Sequence, residues 1–114
     1  MISQVRPAAL AAWIREQESS AGPALVLDVR EPHELQRASV TADGFELLAI
    51  PMNSVPVRLA ELDPGRPVAC LCHHGARSQQ VALYLEHNGF TRVANVAGGI
   101  DAWTLELDPS IPRY

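Results

Sequence analysis

Hydrophobic residues are grouped along the chain in two alternating kinds of segment. Short, mostly apolar runs have the length of buried strands, and they cover residues 24–29, 46–50, 67–71 and 92–96. Between them, apolar residues recur every three or four positions, which is the spacing of one face of a helix. The predicted helices cover residues 7–18, 31–37, 53–62 and 78–88, with a last short helix after Gly98-Gly99. Strands that alternate with helices at these lengths predict an α/β fold with a mostly parallel sheet.

Proline, glycine and small polar residues mark the ends of these segments. Pro7 and Pro32 stand at the first turn of their helices, where the missing N–H of proline costs nothing. Residues 19–23 break the first helix, and Asp43-Gly44 marks a turn before the second strand. Asn88-Gly89 is a usual helix end.

Composition limits the class of protein. The chain has 114 residues, of which 47% are hydrophobic and 19% charged, as is ordinary for one globular domain covering residues 1–114. A net charge of −4 favours neither nucleic acid nor an anionic membrane as a partner. No run approaches the roughly 20 apolar residues that span a bilayer, and residues 1–7 lack the layout of a signal peptide. We therefore expect a cytoplasmic location.

Polar residues form clusters at the carboxyl ends of three predicted strands, and the third cluster also leads into the last helix. These clusters are residues 28–31, 72–78 and 97–101. Ligands of parallel α/β sheets bind beyond the carboxyl ends of the strands. We therefore expect the three clusters to form one site.

The second cluster begins with a cysteine at the end of a predicted strand, in the run Cys72-His73-His74-Gly75-Ala76-Arg77-Ser78. Backbone N–H groups that curl around a point bind an anion, and a helix N-terminus adds its positive dipole end. Gly75 permits a close backbone approach, Arg77 adds a fixed cation, and Ser78 is placed to cap the helix. Each feature favours the thiolate, the nucleophilic form of cysteine. Cys72 is therefore the predicted nucleophile.

Four motifs together resemble the single-domain rhodaneses, a family of sulfurtransferases. They are Leu27-Asp28-Val29-Arg30-Glu31, Ile50-Pro51, the run from Cys72 to Ser78, and Ala97-Gly98-Gly99-Ile100-Asp101-Ala102-Trp103. They occur in the family's order and spacing and together extend over roughly residues 24 to 105. The resemblance implies a three-layer rhodanese-like domain, with helices on both faces of the central sheet. Residues 38–42 depart from the Gly-His-Ile-like segment of most relatives.

The resemblance implies a double-displacement reaction. Cys72 takes a sulfane sulfur from a donor such as thiosulfate, and a thiophilic acceptor (cyanide in assays, a thiol or a protein in cells) removes it from the Cys72 persulfide. Neither a metal ion nor an organic cofactor is implied. The residues implied to bind substrate in the active-site loop are His73, His74, Gly75, Ala76, Arg77 and Ser78. The implied supporting residues are Asp28, Arg30 and Glu31.

Three other functions are alternatives to sulfur transfer. Only four residues separate Cys72 from Arg77, whereas related phosphatases and arsenate reductases carry one more in a wider loop. The loop length therefore favours sulfur over phosphoryl transfer. A noncatalytic rhodanese-like binding or regulatory module is the main alternative, and the intact Cys72 argues against it. A thiol–disulfide role that uses Cys70 is the weakest alternative, because a Cys70–Cys72 bridge within one strand is strained.

Several residues of the predicted site have a structural interpretation as well. Arg77 either contacts substrate or forms an ion pair with an acid at the end of the neighbouring strand. Asp28 is expected to bond backbone amides or Arg77, and Arg30 and Glu31 to form an ion pair at the rim.

The remaining candidates are interpreted mainly as scaffold. His73 and His74 are expected at a positive rim or in hydrogen bonds within the loop, rather than as metal ligands with Cys72. Cys70 is expected to be a small buried hydrophobe, with a resolving thiol as the alternative. Residues 107–114 are expected to lie as an extended strap over the core, with binding of a partner as the alternative.

Overall fold

The computed structural model describes residues 2–17 and 22–114, in which five strands form one parallel sheet. The strands are β1 (Ser3–Val5), β2 (Leu25–Asp28), β3 (Glu46–Ala49), β4 (Val68–Leu71) and β5 (Val93–Val96). Their order is β1-β5-β4-β2-β3, and every neighbouring pair is parallel. Strands β2, β4 and β5 are buried along their whole length, which is why they are mostly apolar, with Asp28 in β2 and Asn95 in β5 as buried polar exceptions. The predicted α/β fold with a parallel sheet is confirmed.

Helices cover both faces of this sheet. They are α1 (Leu10–Glu16), α2 (Pro32–Arg37), α3 (Ala76–His87) and α4 (Gly99–Glu106). Side chains on β4 alternate between two hydrophobic clusters: Cys70 belongs to the cluster that includes α3, and Leu71 to the one that includes α1 and α4. This alternation is the period of two that a strand imposes on its side chains. The three-layer architecture that the resemblance implies is therefore confirmed.

The short edge strand β1 was not predicted. Ser3–Val5 pairs in parallel with β5, with Val5 opposite Val96. Three residues, of which only Val5 is buried, carry too little of the alternating pattern to indicate a strand.

The prediction of a continuous helix over residues 53–62 is wrong. The segment forms two 3₁₀ turns instead, Met52–Ser54 and Leu59–Glu61, separated by a further turn in which Val57 is 88% exposed. The N–H groups of Ser54 and Val55 donate to carbonyls three residues earlier, and Pro56 has no N–H to continue this series. Val55 and Leu62 are still buried in the core and Leu59 packs against it, which is what the periodic pattern detected.

The ends of two helices also differ from the prediction. The first helix begins with a 3₁₀ turn, Pro7–Ala9, and its predicted end at residue 18 and the break after it fall partly outside the described residues. Helix α3 begins at Ala76, two residues earlier than predicted. No helix in the described part of the chain is both long and apolar enough to cross a membrane.

Two irregular segments pack against the face that holds α1 and α4. Ala38 and Val40 are buried there, and they anchor the stretch that departs from the family pattern. The C-terminal residues follow α4, and Ile111 is buried in the same cluster. The tail then reaches the carboxyl ends of the strands, where Tyr114 lies beside the predicted active-site loop. The tail thus packs on the core as expected, but it includes a turn at residues 109–111 and is not extended throughout.

Candidate functional site

The reactive-cysteine loop connects the end of β4 to the start of α3. Gly75 is the residue before the helix and has a φ of 106°, a conformation that glycine adopts far more readily than other residues. The loop also packs against the start of α4. The N–H of Ile100 donates to the Cys72 carbonyl at 2.9 Å, and the N–H of Asp101 donates to the His73 carbonyl at 3.2 Å.

Gly99 makes this close packing possible. A Cβ atom at this position would overlap the carbonyl oxygens of both Cys72 and His73. Gly99 also has a positive φ of 62°. The glycine pair that the sequence singled out therefore allows the start of α4 to approach the loop backbone. Two of the three predicted polar clusters, 72–78 and 97–101, lie together as expected.

Three hydrogen-bond donors surround the sulfur of Cys72. The Gly75 N–H lies 3.1 Å from Sγ, the Ser78 N–H 3.4 Å and the Ser78 hydroxyl 3.2 Å. Cys72 is only 1% exposed, so its sulfur depends on these protein donors rather than on water for hydrogen bonds. Donors directed at a buried sulfur stabilise negative charge on it. The geometry supports the predicted anion-binding loop.

Ser78 has a different role from the predicted helix cap. Because α3 begins at Ala76, Ser78 is the third residue of the helix, and its hydroxyl turns towards Cys72 rather than towards a backbone N–H. The same hydroxyl lies 2.5 Å from Oδ1 of Asn95, a residue on β5.

Asn95 is a site residue that the sequence prediction missed. Its Nδ2 donates to the Gly75 carbonyl at 3.1 Å and to Oε1 of Gln4 at 3.0 Å. It is 3% exposed within a strand that is otherwise apolar. A polar side chain in a buried strand requires hydrogen-bond partners, and this was the available signal.

Arg77 forms a bidentate ion pair with Glu34 on α2. Its two terminal nitrogens lie 2.7 and 2.9 Å from the two carboxylate oxygens. These bonds, with a further one from the Tyr114 hydroxyl, hold the pKa of Glu34 well below its usual range even though burial acts to raise it. The ion-pair interpretation of Arg77 agrees with this geometry. Its expected partner was wrong, because the acid comes from a helix rather than from the end of a strand.

Asp28 and Arg30 form a second, fully buried ion pair. Oδ1 of Asp28 accepts from the backbone N–H and Nε of Arg30, and Oδ2 accepts from Nη2 at 2.8 Å. Arg30 is 0% exposed and also donates to the Glu34 carbonyl and to the Tyr114 hydroxyl. The cluster at residues 28–31 therefore supports the loop through Glu34 and Tyr114.

The expected rim ion pair between Arg30 and Glu31 is wrong. Arg30 is buried and paired with Asp28, as described above. Glu31 instead precedes α2 and takes part in a capping box with Glu34, in which each side chain accepts from the other residue's backbone N–H. Glu31 therefore fixes the start of the helix that carries the partner of Arg77.

The two loop histidines form a stack with the last residue of the chain. The rings of His73 and His74 have centroids 3.9 Å apart, and His73 lies at the same distance from Tyr114 on a nearly parallel plane. Burial and the neighbouring His74 lower the pKa of His73. Nε2 of His73 is buried and has no hydrogen-bond partner among the residues that the structure describes. His74 is exposed, which fits a place at the rim.

Two alternative roles near Cys72 concern a metal ion and the second thiol, Cys70. Within residues 2–17 and 22–114, no three His, Cys, Asp or Glu side chains lie close enough together to hold a metal ion. Cys70 is 0% exposed, and burial, together with the charge of Cys72, raises the pKa of its thiol far above the usual range. A thiol that stays protonated is a poor nucleophile. The interpretation of Cys70 as a small buried hydrophobe agrees with these observations.

The fold and the site define a class of protein: an α/β domain whose cysteine lies in an anion-binding loop at the carboxyl end of a parallel sheet. The model of the family described as Rhodanese-like domain matches residues 10–106. The chain therefore belongs to the rhodanese-like family.

Individual relatives agree with this assignment. A protein named Sulfurtransferase from Allochromatium vinosum is 38% identical over 79 residues, which are 69% of this chain and 70% of that protein. The Rhodanese-like/PpiC domain-containing protein 12, chloroplastic, of Arabidopsis thaliana is 41% identical over 93 residues. That match covers 80% of this chain but only 30% of the Arabidopsis protein. The crystal structure of a rhodanese-related protein from Thermoplasma volcanium has a TM-score of 0.76 at 28% identity, and covers 98% of this chain and 99% of that one.

Proposed function

We propose that this chain is a sulfurtransferase that carries sulfane sulfur on Cys72. The observation that carries the proposal is the set of three donors around the buried Cys72 sulfur. A relative of similar length that is named Sulfurtransferase supports it. The first step forms a bond between Cys72 Sγ and the outer sulfur of a donor such as thiosulfate. The bond between the two sulfurs of thiosulfate breaks, and sulfite leaves with its electron pair.

The second step returns the loop to its starting state. A thiophilic acceptor (cyanide, a thiol or a protein thiolate) attacks the outer sulfur of the Cys72 persulfide. The S–S bond breaks, and its electron pair returns to Sγ as the thiolate. Sulfur is passed on in one oxidation state, so the cycle consumes neither oxidant nor reductant. The amides of Gly75 and Ser78 stabilise negative charge near Sγ before and after transfer.

The surrounding ion pairs serve this reaction by holding the loop. Arg77 fixes the start of α3 to α2 through Glu34, and Arg30 holds the end of β2 through Asp28. Preorganised donors are effective because they need no reorganisation during the reaction. The 114 residues act as one rhodanese-like unit in this proposal.

Intact-mass spectrometry after incubation with thiosulfate tests the proposal. We expect a gain of one sulfur, about 32 Da, that disappears when cyanide is added. Cys72→Ser should show no gain. Cys70→Ala is the matched control, because it removes the neighbouring buried thiol and should load normally.

Two results would contradict the proposal. One is the absence of an adduct with thiosulfate and with a small-molecule persulfide, which favours a noncatalytic module. The other is Cys72-dependent turnover of an aryl phosphate without sulfur loading, which favours the phosphatase alternative.

A further inference from the structure

The hydroxyl group of Ser78 lies between two acceptors that compete for its hydrogen. Oγ is 3.2 Å from Sγ of Cys72 and 2.5 Å from Oδ1 of Asn95. Ser78, Cys72 and Asn95 are 0%, 1% and 3% exposed, so water is a poor substitute for a missing bond. A serine hydroxyl has one hydrogen, and it can therefore satisfy only one of the two neighbours at a time.

The other contacts of Asn95 fix the orientation of its amide. Nδ2 faces the carbonyl oxygen of Gly75 at 3.1 Å. A backbone carbonyl only accepts hydrogen bonds, so the group that faces it must be the NH₂ end. Gln4 Oε1 accepts the second Nδ2 hydrogen, and Gln4 itself donates to Gln79. Asn95 therefore presents its carbonyl oxygen, which can only accept, to the Ser78 hydroxyl.

The protonation state of Cys72 decides which neighbour receives the hydrogen. When Cys72 is a thiol, its S–H donates to Ser78 Oγ and the Ser78 hydroxyl donates to Asn95, so each group has a partner. When Cys72 is a thiolate, the sulfur only accepts and attracts the Ser78 hydrogen. Oδ1 of Asn95 is then buried with no donor among the residues that the structure describes, which costs free energy.

We propose that Asn95 is a positioning residue that acts through the Ser78 hydroxyl and disfavours the thiolate of Cys72 relative to its uncharged forms. In the persulfide, negative charge lies mainly on the outer sulfur, so Sγ attracts the hydrogen less and Asn95 regains it. Asn95 thus favours the loaded protein over the resting thiolate. The link to loading rests on the proposed sulfur transfer, whereas the effect on the resting thiol does not.

Other charged and titratable groups face the loop from every element packed against it. They are Asp28 at the end of β2, Arg30 after β2, Glu34 on α2, Cys70 on β4, His73 and His74 in the loop, Arg77 on α3, Asp101 on α4 and Tyr114 in the tail. None of them lies between Ser78 and Asn95. Substitutions at Asn95 therefore act on Cys72 by a route that leaves these groups in place.

The test is a pH titration of the Cys72 thiolate, followed by its ultraviolet absorbance, with all variants in a Cys70→Ala background. Asn95→Ala frees the Ser78 hydrogen and should lower the titration midpoint by about one pH unit, a tenfold gain in thiolate fraction. Ser78→Ala should raise the midpoint. In the Ser78→Ala background, the further change Asn95→Ala should have no effect. Thr104→Val is the matched control, since Thr104 is also a buried polar residue but donates to the Ile100 carbonyl rather than facing Ser78, and it should leave the midpoint unchanged.

A loosened loop would give a different pattern. If Asn95→Ala raises the midpoint, leaves it unchanged, or shifts it equally with and without the Ser78 hydroxyl, the proposal is overturned. Asn95→Val, which suits a buried strand, replaces Asn95→Ala if that variant does not fold. The titration needs no sulfur donor. A normal titration pattern without persulfide formation would therefore count against the proposed function alone.

Discussion

The ion pair between Arg77 and Glu34 should contribute measurably to stability, and Glu34→Gln tests it. The Glu34 carboxylate accepts two bonds from Arg77 and one of 2.7 Å from the Tyr114 hydroxyl. The side chain of Glu34 is 9% exposed and that of Arg77 is 33% exposed. The contribution of this pair to the free energy of unfolding is therefore expected to be intermediate. An exposed pair contributes about 0–1 kcal/mol, and disruption of a buried pair costs about 3–5 kcal/mol. Because Gln retains one acceptor and water reaches part of Arg77, we expect a loss of about 2 kcal/mol.

Urea unfolding at pH 7 measures this loss directly. With an m-value of about 1–3 kcal/mol per molar for a chain of this size, the midpoint should fall by roughly 1 M at unchanged slope. Glu61→Gln is a matched control, because Glu61 also makes a bidentate pair with an arginine, Arg58, but on the exposed surface. That substitution should change the midpoint much less.

The pH dependence provides a second check on the same pair. Folding lowers the pKa of Glu34 from its ordinary value of 4.5, so the stabilisation is fully present above that value and is lost as the pH falls below it. The difference between the wild-type protein and Glu34→Gln should therefore shrink as the pH falls from 7 to about 3. A difference that stays constant over this range, or a loss at pH 7 no larger than that of Glu61→Gln, would refute the role assigned to the pair.

Substitutions at two further positions, Gly99 and Tyr114, test the packing around the loop. Gly99→Ala should abolish persulfide formation and destabilise the fold, because the added Cβ overlaps two loop carbonyl oxygens. Gly44→Ala is the control: Gly44 has a similar positive φ but open space around it, so the substitution should lower the free energy of unfolding by only about 1–2 kcal/mol. Urea unfolding and mass spectrometry compare the two variants. Equal losses of stability and of persulfide formation in both variants would contradict the role of the overlap at Gly99. Tyr114→Phe removes the hydroxyl shared by Arg30 and Glu34 and should cost about 1 kcal/mol, while Tyr114→Ala also removes the ring stack and should cost more. If the Phe and Ala variants unfold at the same urea concentration, the ring does not hold the loop.

The sequence pattern predicted those parts of the fold that depend on local order. Strands β2, β4 and β5 are buried on both faces, so each is a mostly apolar run that a short window detects. Parallel order then placed the polar residues that follow the strands at one edge of the sheet. The convergence of the Cys72 loop with Gly99 followed from these two facts.

The partners within the site depend on contacts between distant residues, and these were not predictable. Arg77 meets Glu34 across 43 positions, Ser78 meets Asn95 across 17, and Arg30 meets Tyr114 across 84. Each residue type allows several partners, and only the packing of the helices on the sheet selects one. The direction of the Ser78 hydroxyl likewise depended on a shift of two residues in the start of α3.

The central claim is that Cys72 passes on the sulfur it accepts, and isotope transfer tests it most directly. The protein is loaded with thiosulfate labelled in its outer sulfur, and excess donor is removed. One portion of the loaded protein is digested for peptide mapping, and a second portion is mixed with cyanide. In the peptide map we expect the label on Cys72, the residue with three donors around its sulfur. In the portion mixed with cyanide we expect about one equivalent of labelled thiocyanate per loaded protein. Label on Cys70, or label at Cys72 that cyanide does not release, would contradict the claim.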